Sequence, residues 1–122
     1  MTRRRNPSAS TSLGKRLHAA LREDKAFRIL DADPDLAGSD WGSGGCAVLA
    51  SALLRLLPTA SPFAVVQRGE PQHYLVRYRG LFYDENGATT ESGFWRRFEE
   101  ANAPTVSRAR GARLVALDRD AD

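Results

Sequence analysis

The sequence predicts a small α+β domain on three observations. An apolar-periodic stretch lies near the start, and a nearly all-apolar segment follows a glycine-rich loop. Short aromatic and β-branched runs, punctuated by turn dipeptides, fill the second half. A chain of 122 residues suits one domain with one core, and its 42% hydrophobic content is enough to build that core.

Residues 1–12 are polar, basic and rich in turn formers, which predicts a disordered tail ahead of a domain spanning 13–122. Ser12 is placed to cap a helix whose apolar positions Leu13, Leu17, Ala20 and Leu21 recur at helical spacing. That helix must end before Pro34, because a residue preceding proline avoids the helical region. The loop Asp33 to Gly45 carries four glycines and Ser39-Asp40-Trp41. Cys46 to Leu57 is apolar almost all round, with only Ser51 and Arg55 polar, and predicts a helix buried inside the fold; Pro58 stops it.

Phe63 to Gln67, His73 to Tyr78 and Leu81 to Asp84 read as strands. Arg79-Gly80 predicts a tight hairpin turn between the second and third, and Asn86-Gly87 a further turn. Thr90 or Ser92 caps a short helix containing Phe94, Trp95 and Phe98, whose spacing marks core contacts. Arg113 to Leu117 reads as a last antiparallel strand at the sheet margin.

Composition excludes several function classes. No apolar run approaches a membrane span, and the arginines near the start have no apolar region behind them, so the expected address is the cytosol. The single cysteine cannot close an intramolecular disulfide, suits a reducing compartment and rules out a cysteine-cluster metal site. The net charge is +3, with sixteen Arg against two Lys. These arginines are scattered rather than gathered with stacking aromatics, which argues against a dedicated nucleic-acid surface.

The strongest chemical signal is Gly44-Gly45-Cys46 opening an apolar helix. Unpaired N–H groups and the positive end of the helix dipole favour a thiolate there, the nucleophilic form of cysteine. The glycines allow a sharp turn and leave room for a substrate carbonyl, for which the Cys46 N–H is one oxyanion donor. His73 opens a strand. With a two-residue turn at Arg79-Gly80, Tyr78 opposes Leu81, Leu75 opposes Asp84 and His73 opposes Asn86. His73, Asp84 and Asn86 then share a face, and either Asp84 or Asn86 can orient the imidazole. Taken singly, each has a plain structural explanation: a buried thiol, a histidine at a strand start, an aspartate before a turn.

The order of these residues resembles the papain-like cysteine hydrolase superfamily in its minimal bacterial forms, including the transglutaminase-like and NlpC/P60-like branches. The segment HYLVRYRGLFYDENG over residues 73–87 is similar to that superfamily's His-strand, turn and Asp-strand element. The likeness covers Trp41 to Gly87. It implies a papain-like fold, with Cys46 as nucleophile, His73 as general base and then acid, and Asp84 as orienting residue with Asn86 as substitute. No cofactor or metal is implied. The peptidase glutamine ahead of the cysteine is absent, which leaves Ser43 or a loop N–H as second oxyanion donor and Trp41 as a candidate pocket wall. The small size favours a peptide or protein substrate, or a small amide, in a narrow site. Two further readings stand beside this one: a catalytically inactive binding module on the same fold, such as a phage- or mobile-element-encoded protein engaging a host protein, and a metal site at Cys46, His73 and Asp84.

Overall fold

The computed structural model describes residues 7–20 and 45–118, and these form an α+β structure around one five-stranded antiparallel sheet. The elements run α1 (Pro7–Ala20), α2 (Cys46–Leu56), β1 (Ser61–Gln67), β2 (Glu70–Tyr78), β3 (Leu81–Asp84), β4 (Gly87–Thr89), α3 (Glu91–Asn102), a short 3₁₀ turn (Arg108–Arg110) and β5 (Arg113–Ala116). The strands lie in the order β4-β3-β2-β1-β5, so consecutive hairpins build most of the sheet and β5 returns to pair with β1 at the margin.

Turn chemistry sets the hairpins. Arg79 and Gly80 both have positive φ (51° and 80°), the geometry of a two-residue turn whose twist matches that of the strands. Tyr78 accordingly pairs with Leu81, Arg77 with Phe82 and Val76 with Tyr83. Arg68 and Gly69 (φ 54° and 79°) make the same kind of turn between β1 and β2. The next reversal is Glu85-Asn86 rather than Asn86-Gly87. Asp84 pairs with Gly87, and Gly87 already opens β4, a strand the sequence pattern did not announce.

Both faces of the sheet are covered. On one, α2 lays Leu49, Ala50 and Leu53 against Val76 and Tyr83, with Leu13 and Leu17 of α1 alongside. On the other, α3 lays Phe94, Trp95 and Phe98 against Val65, Leu75 and Phe82. The strict alternation of Leu75 with Val76 and of Phe82 with Tyr83 divides the two layers. Thr90 caps α3 by accepting the Gly93 N–H at 3.2 Å.

Two expectations need correcting. The segment 1–12 is not wholly a tail, because α1 starts at Pro7; proline suits the first helical position, where its missing N–H costs nothing. Residues 1–6 lie outside the described residues. Nor is α2 buried all round. Cys46, Leu49, Ala50 and Leu53 form its single buried stripe, while Val48 and Leu56 are exposed, Leu56 at 74%. Ala47 and Ala52 also face solvent, and single exposed apolar side chains are ordinary on protein surfaces, so an apolar composition did not require burial on every side.

Candidate active site

Cys46 begins α2, with Gly45 as N-cap. Gly45 is buried and its φ of −81° and ψ of −12° are open to any residue, so its dihedral angles alone do not demand glycine. No acidic side chain occupies the first turn of α2, which leaves the positive end of its dipole uncancelled by its own residues. Trp41, Ser43 and Gly44 lie outside the described residues.

His73 is carried into place by a bulge. Val65 pairs with His73 but Val66 pairs with Pro71, so Gln72 is an extra residue on β2 directly before the imidazole. A bulge re-aims the side chain beside it, and Pro71, lacking an N–H, is at home in an interrupted ladder. The ring is buried, 4% exposed, between the rings of α3. Phe94 is stacked at 6.1 Å between centroids and 14° between planes, and Phe98 is tilted at 5.7 Å. Apolar walls of this kind hold an imidazole in one orientation.

Three side chains converge on that ring. The Cys46 thiol lies beside the imidazole and the Tyr74 backbone N–H, close enough for both to act on its ionisation. The β2–β3 ladder ends at Val76↔Tyr83, and both His73 and Tyr74 lie beyond it, at the stretch of β2 met by the start of α2. Nε2 is 3.6 Å from Asp84 Oδ2 and 3.9 Å from Glu85 Oε2. At 3.6 Å the Asp84 contact is an ion pair rather than a short hydrogen bond. Asp84 is itself buried, and its Oδ1 accepts the Asn86 N–H at 2.9 Å.

The ionisation of the cluster follows from these contacts. Burial alone pushes the Cys46 thiol up, but the His73 hydrogen bond, the Tyr74 N–H and the imidazolium charge outweigh it, so its pKa falls below the ordinary value. Burial alone pushes His73 down. The Asp84 carboxylate, the bond with Cys46 and the Glu85 charge outweigh that in turn, and His73 is pushed up to about 10. Both shifts favour a thiolate–imidazolium pair. The donor atoms of His73, Asp84 and Glu85 also lie within 4.8 Å of one another, close enough to meet one cation.

The structure thus brings Cys46, His73 and Asp84 together and adds Glu85, which sequence reasoning overlooked. Asn86 has another task. It holds the β3–β4 turn through its N–H to Asp84, its Nδ2 to Glu85 Oε1 at 3.2 Å, and its carbonyl, which accepts from Arg97 at 2.8 Å. A cavity of about 270 Å³ between α2, β1 and β2 is lined by Ala47, Ala50, Leu54, Tyr74 and Leu117, and neither Cys46 nor His73 forms part of its wall. No helix among the described residues is long and apolar enough to cross a membrane. No protein-family model matches this sequence, and neither a curated protein nor a solved structure matches it.

Proposed function

We propose that this chain is a cysteine-nucleophile hydrolase or acyltransferase of papain-like arrangement, acting on an amide, isopeptide or thioester carbonyl. The observation that supports it is the contact of Cys46, the only cysteine, with a buried His73 whose Nε2 faces Asp84. The thiolate attacks the carbonyl carbon, and the oxyanion forms beside the N-terminus of α2, where the dipole favours negative charge. The tetrahedral intermediate then collapses. The C–N or C–S bond to the leaving group breaks, and that group takes a proton from the His73 imidazolium. A thioester on Cys46 remains. Water or a second nucleophile attacks it, giving its proton to neutral His73, and the thiolate–imidazolium pair is restored. A cytosolic address fits a lone reactive thiol, which stays reduced there.

The test is the pH dependence of iodoacetamide alkylation of Cys46 in the wild type and in His73→Ala. Intact-mass detection of an acyl adduct from a panel of peptidyl thioesters and amides completes it. Early ionisation that is lost with His73, together with an adduct absent from Cys46→Ser, supports the enzyme. A thiol titrating near 8.5 with or without His73 overturns it.

A binding module on the same scaffold is the second reading. It is favoured by the low exposure of Cys46 and His73, 9% and 4%, and by the exposed Val48 and Leu56 on the outer side of α2. An inert thiol in the alkylation experiment points to it.

A further inference from the structure

We propose that Glu85 is a positioning residue of this site, a second carboxylate that shares Nε2 of His73 with Asp84 and holds the imidazole in its charged form. The proposal rests on the Cys46–His73 chemistry above and goes beyond it, because orienting an imidazole needs only one carboxylate.

Neighbouring residues on a strand point to opposite faces, so Asp84 and Glu85 would not both meet His73 if β3 continued. It does not continue. β3 stops at Asp84, and Glu85-Asn86 reverses the chain into β4, which takes Glu85 out of the pleat. Glu85 Oε2 then comes within 3.9 Å of Nε2, on a side chain only 16% exposed. Its other oxygen is anchored by Asn86 Nδ2, and Arg97 of α3 in turn holds the Asn86 carbonyl. The turn therefore has a fixed shape, and the second carboxylate has a fixed reach.

Among the described residues, the groups facing His73 are Cys46 from α2, Asp84 from the end of β3, Glu85 from the turn, and the uncharged rings of Phe94 and Phe98 from α3. Arg97 of α3 is a cation beside the same turn and is directed at the Asn86 carbonyl. Within this set the Glu85 charge acts in opposite senses on the two reacting groups. It favours the imidazolium, and it disfavours the thiolate, which has the same sign. Removing that charge moves both ionisations toward lower pH, a signature that mere loosening of the turn does not produce.

The experiment titrates the full-length chain and its Glu85→Gln variant. The thiolate is followed by its ultraviolet absorbance against a Cys46→Ser blank, and His73 by carbon NMR of labelled histidine. Both midpoints are expected to fall by about one pH unit. Glu85→Asp keeps the charge on a shorter arm and is expected to fall between the two. It carries the same test if circular dichroism shows Glu85→Gln unfolded, and wild-type midpoints in Glu85→Asp then overturn the proposal. If the wild type shows a depressed thiol and a raised imidazole while Glu85→Gln leaves both in place, the role of Glu85 fails and the nucleophile reading stands. If the wild-type thiol titrates as a free cysteine, both fail together.

Discussion

The carboxylate of Asp84 and the imidazole of His73 meet where the β2–β3 ladder has already ended, with Oδ2 3.6 Å from Nε2. The other oxygen, Oδ1, accepts the Asn86 N–H at 2.9 Å. One carboxylate thus ties the shape of the β3–β4 turn to the orientation of the histidine.

Asp84→Asn separates these two duties. Its amide oxygen still accepts the Asn86 N–H, so the fold is kept, while the negative charge on Nε2 is lost. Acyl transfer, read as kcat/KM toward the donor that acylates Cys46, should fall by about 10²-fold or more. The His73 midpoint should move to lower pH as the carboxylate charge that raises it is lost. An unchanged rate removes Asp84 from the reaction.

Stability should depend on pH in a way that the thiolate–imidazolium pair dictates. His73 has its folded pKa raised from 6.5 to about 10, so its contribution is complete below pH 6.5 and is lost as pH rises toward 10. Cys46 has its folded pKa lowered from 9.0, so its contribution is present above 9.0 and is lost as pH falls through the folded value. Where the two windows overlap, the slopes oppose each other and the wild type should hold nearly level. Cys46→Ser keeps only the histidine slope and should lose stability continuously above pH 6.5. Urea midpoints measured across this range decide it; parallel curves for the two proteins contradict the pairing.

The cation question has its own readout. If His73 is held by hydrogen bonds and charge, turnover should survive exhaustive chelation with EDTA. Added zinc should inhibit, because a divalent ion at His73, Asp84 and Glu85 takes the imidazole away from Cys46. Loss of activity on chelation with recovery on zinc addition would establish a metal site in place of the acid–base pair.

Gly14 should resist replacement although it sits within a helix. Alanine there ordinarily gains about 1 kcal/mol of helix propensity. A Cβ at Gly14, however, would lie 2.5 Å from the Ala88 N and 2.6 Å from its Cβ, against the backbone of β4. Overpacking of this kind costs about 1–3 kcal/mol, so Gly14→Ala should lower the unfolding temperature rather than raise it. The same close approach bars a side chain at Gly87, whose added Cβ would meet the Gly14 carbonyl oxygen at 2.7 Å and whose φ is +96°. A raised melting temperature in Gly14→Ala would show that α1 does not press on β4.

Much of the scaffold was written in local chemistry. The Arg79-Gly80 turn, the Tyr78↔Leu81 pairing, the bounds of β3, the Thr90 cap and the marginal β5 follow from turn dihedrals, side-chain period and capping, which depend on residues close in sequence. Cys46 and Asp84 stood out for the same reason, each sitting at the end of a recognisable element, whereas His73, expected to open its strand, lies inside β2, which starts at Glu70. Which groups surround His73 was decided in three dimensions. The Gln72 bulge, the escape of Glu85 from the pleat after β3 stops, and the burial of the ring beneath Phe94 and Phe98 depend on where separate elements end against one another. The exposed outer side of α2 and the backbone contact of Gly14 with β4 belong with them. Sequence by itself determined most of the elements, β4 excepted, and the reactive residue types, because propensity and periodicity are short-range. Tertiary structure alone decided the charge environment of the histidine, because desolvation and Coulomb interaction depend on distances between atoms remote in sequence.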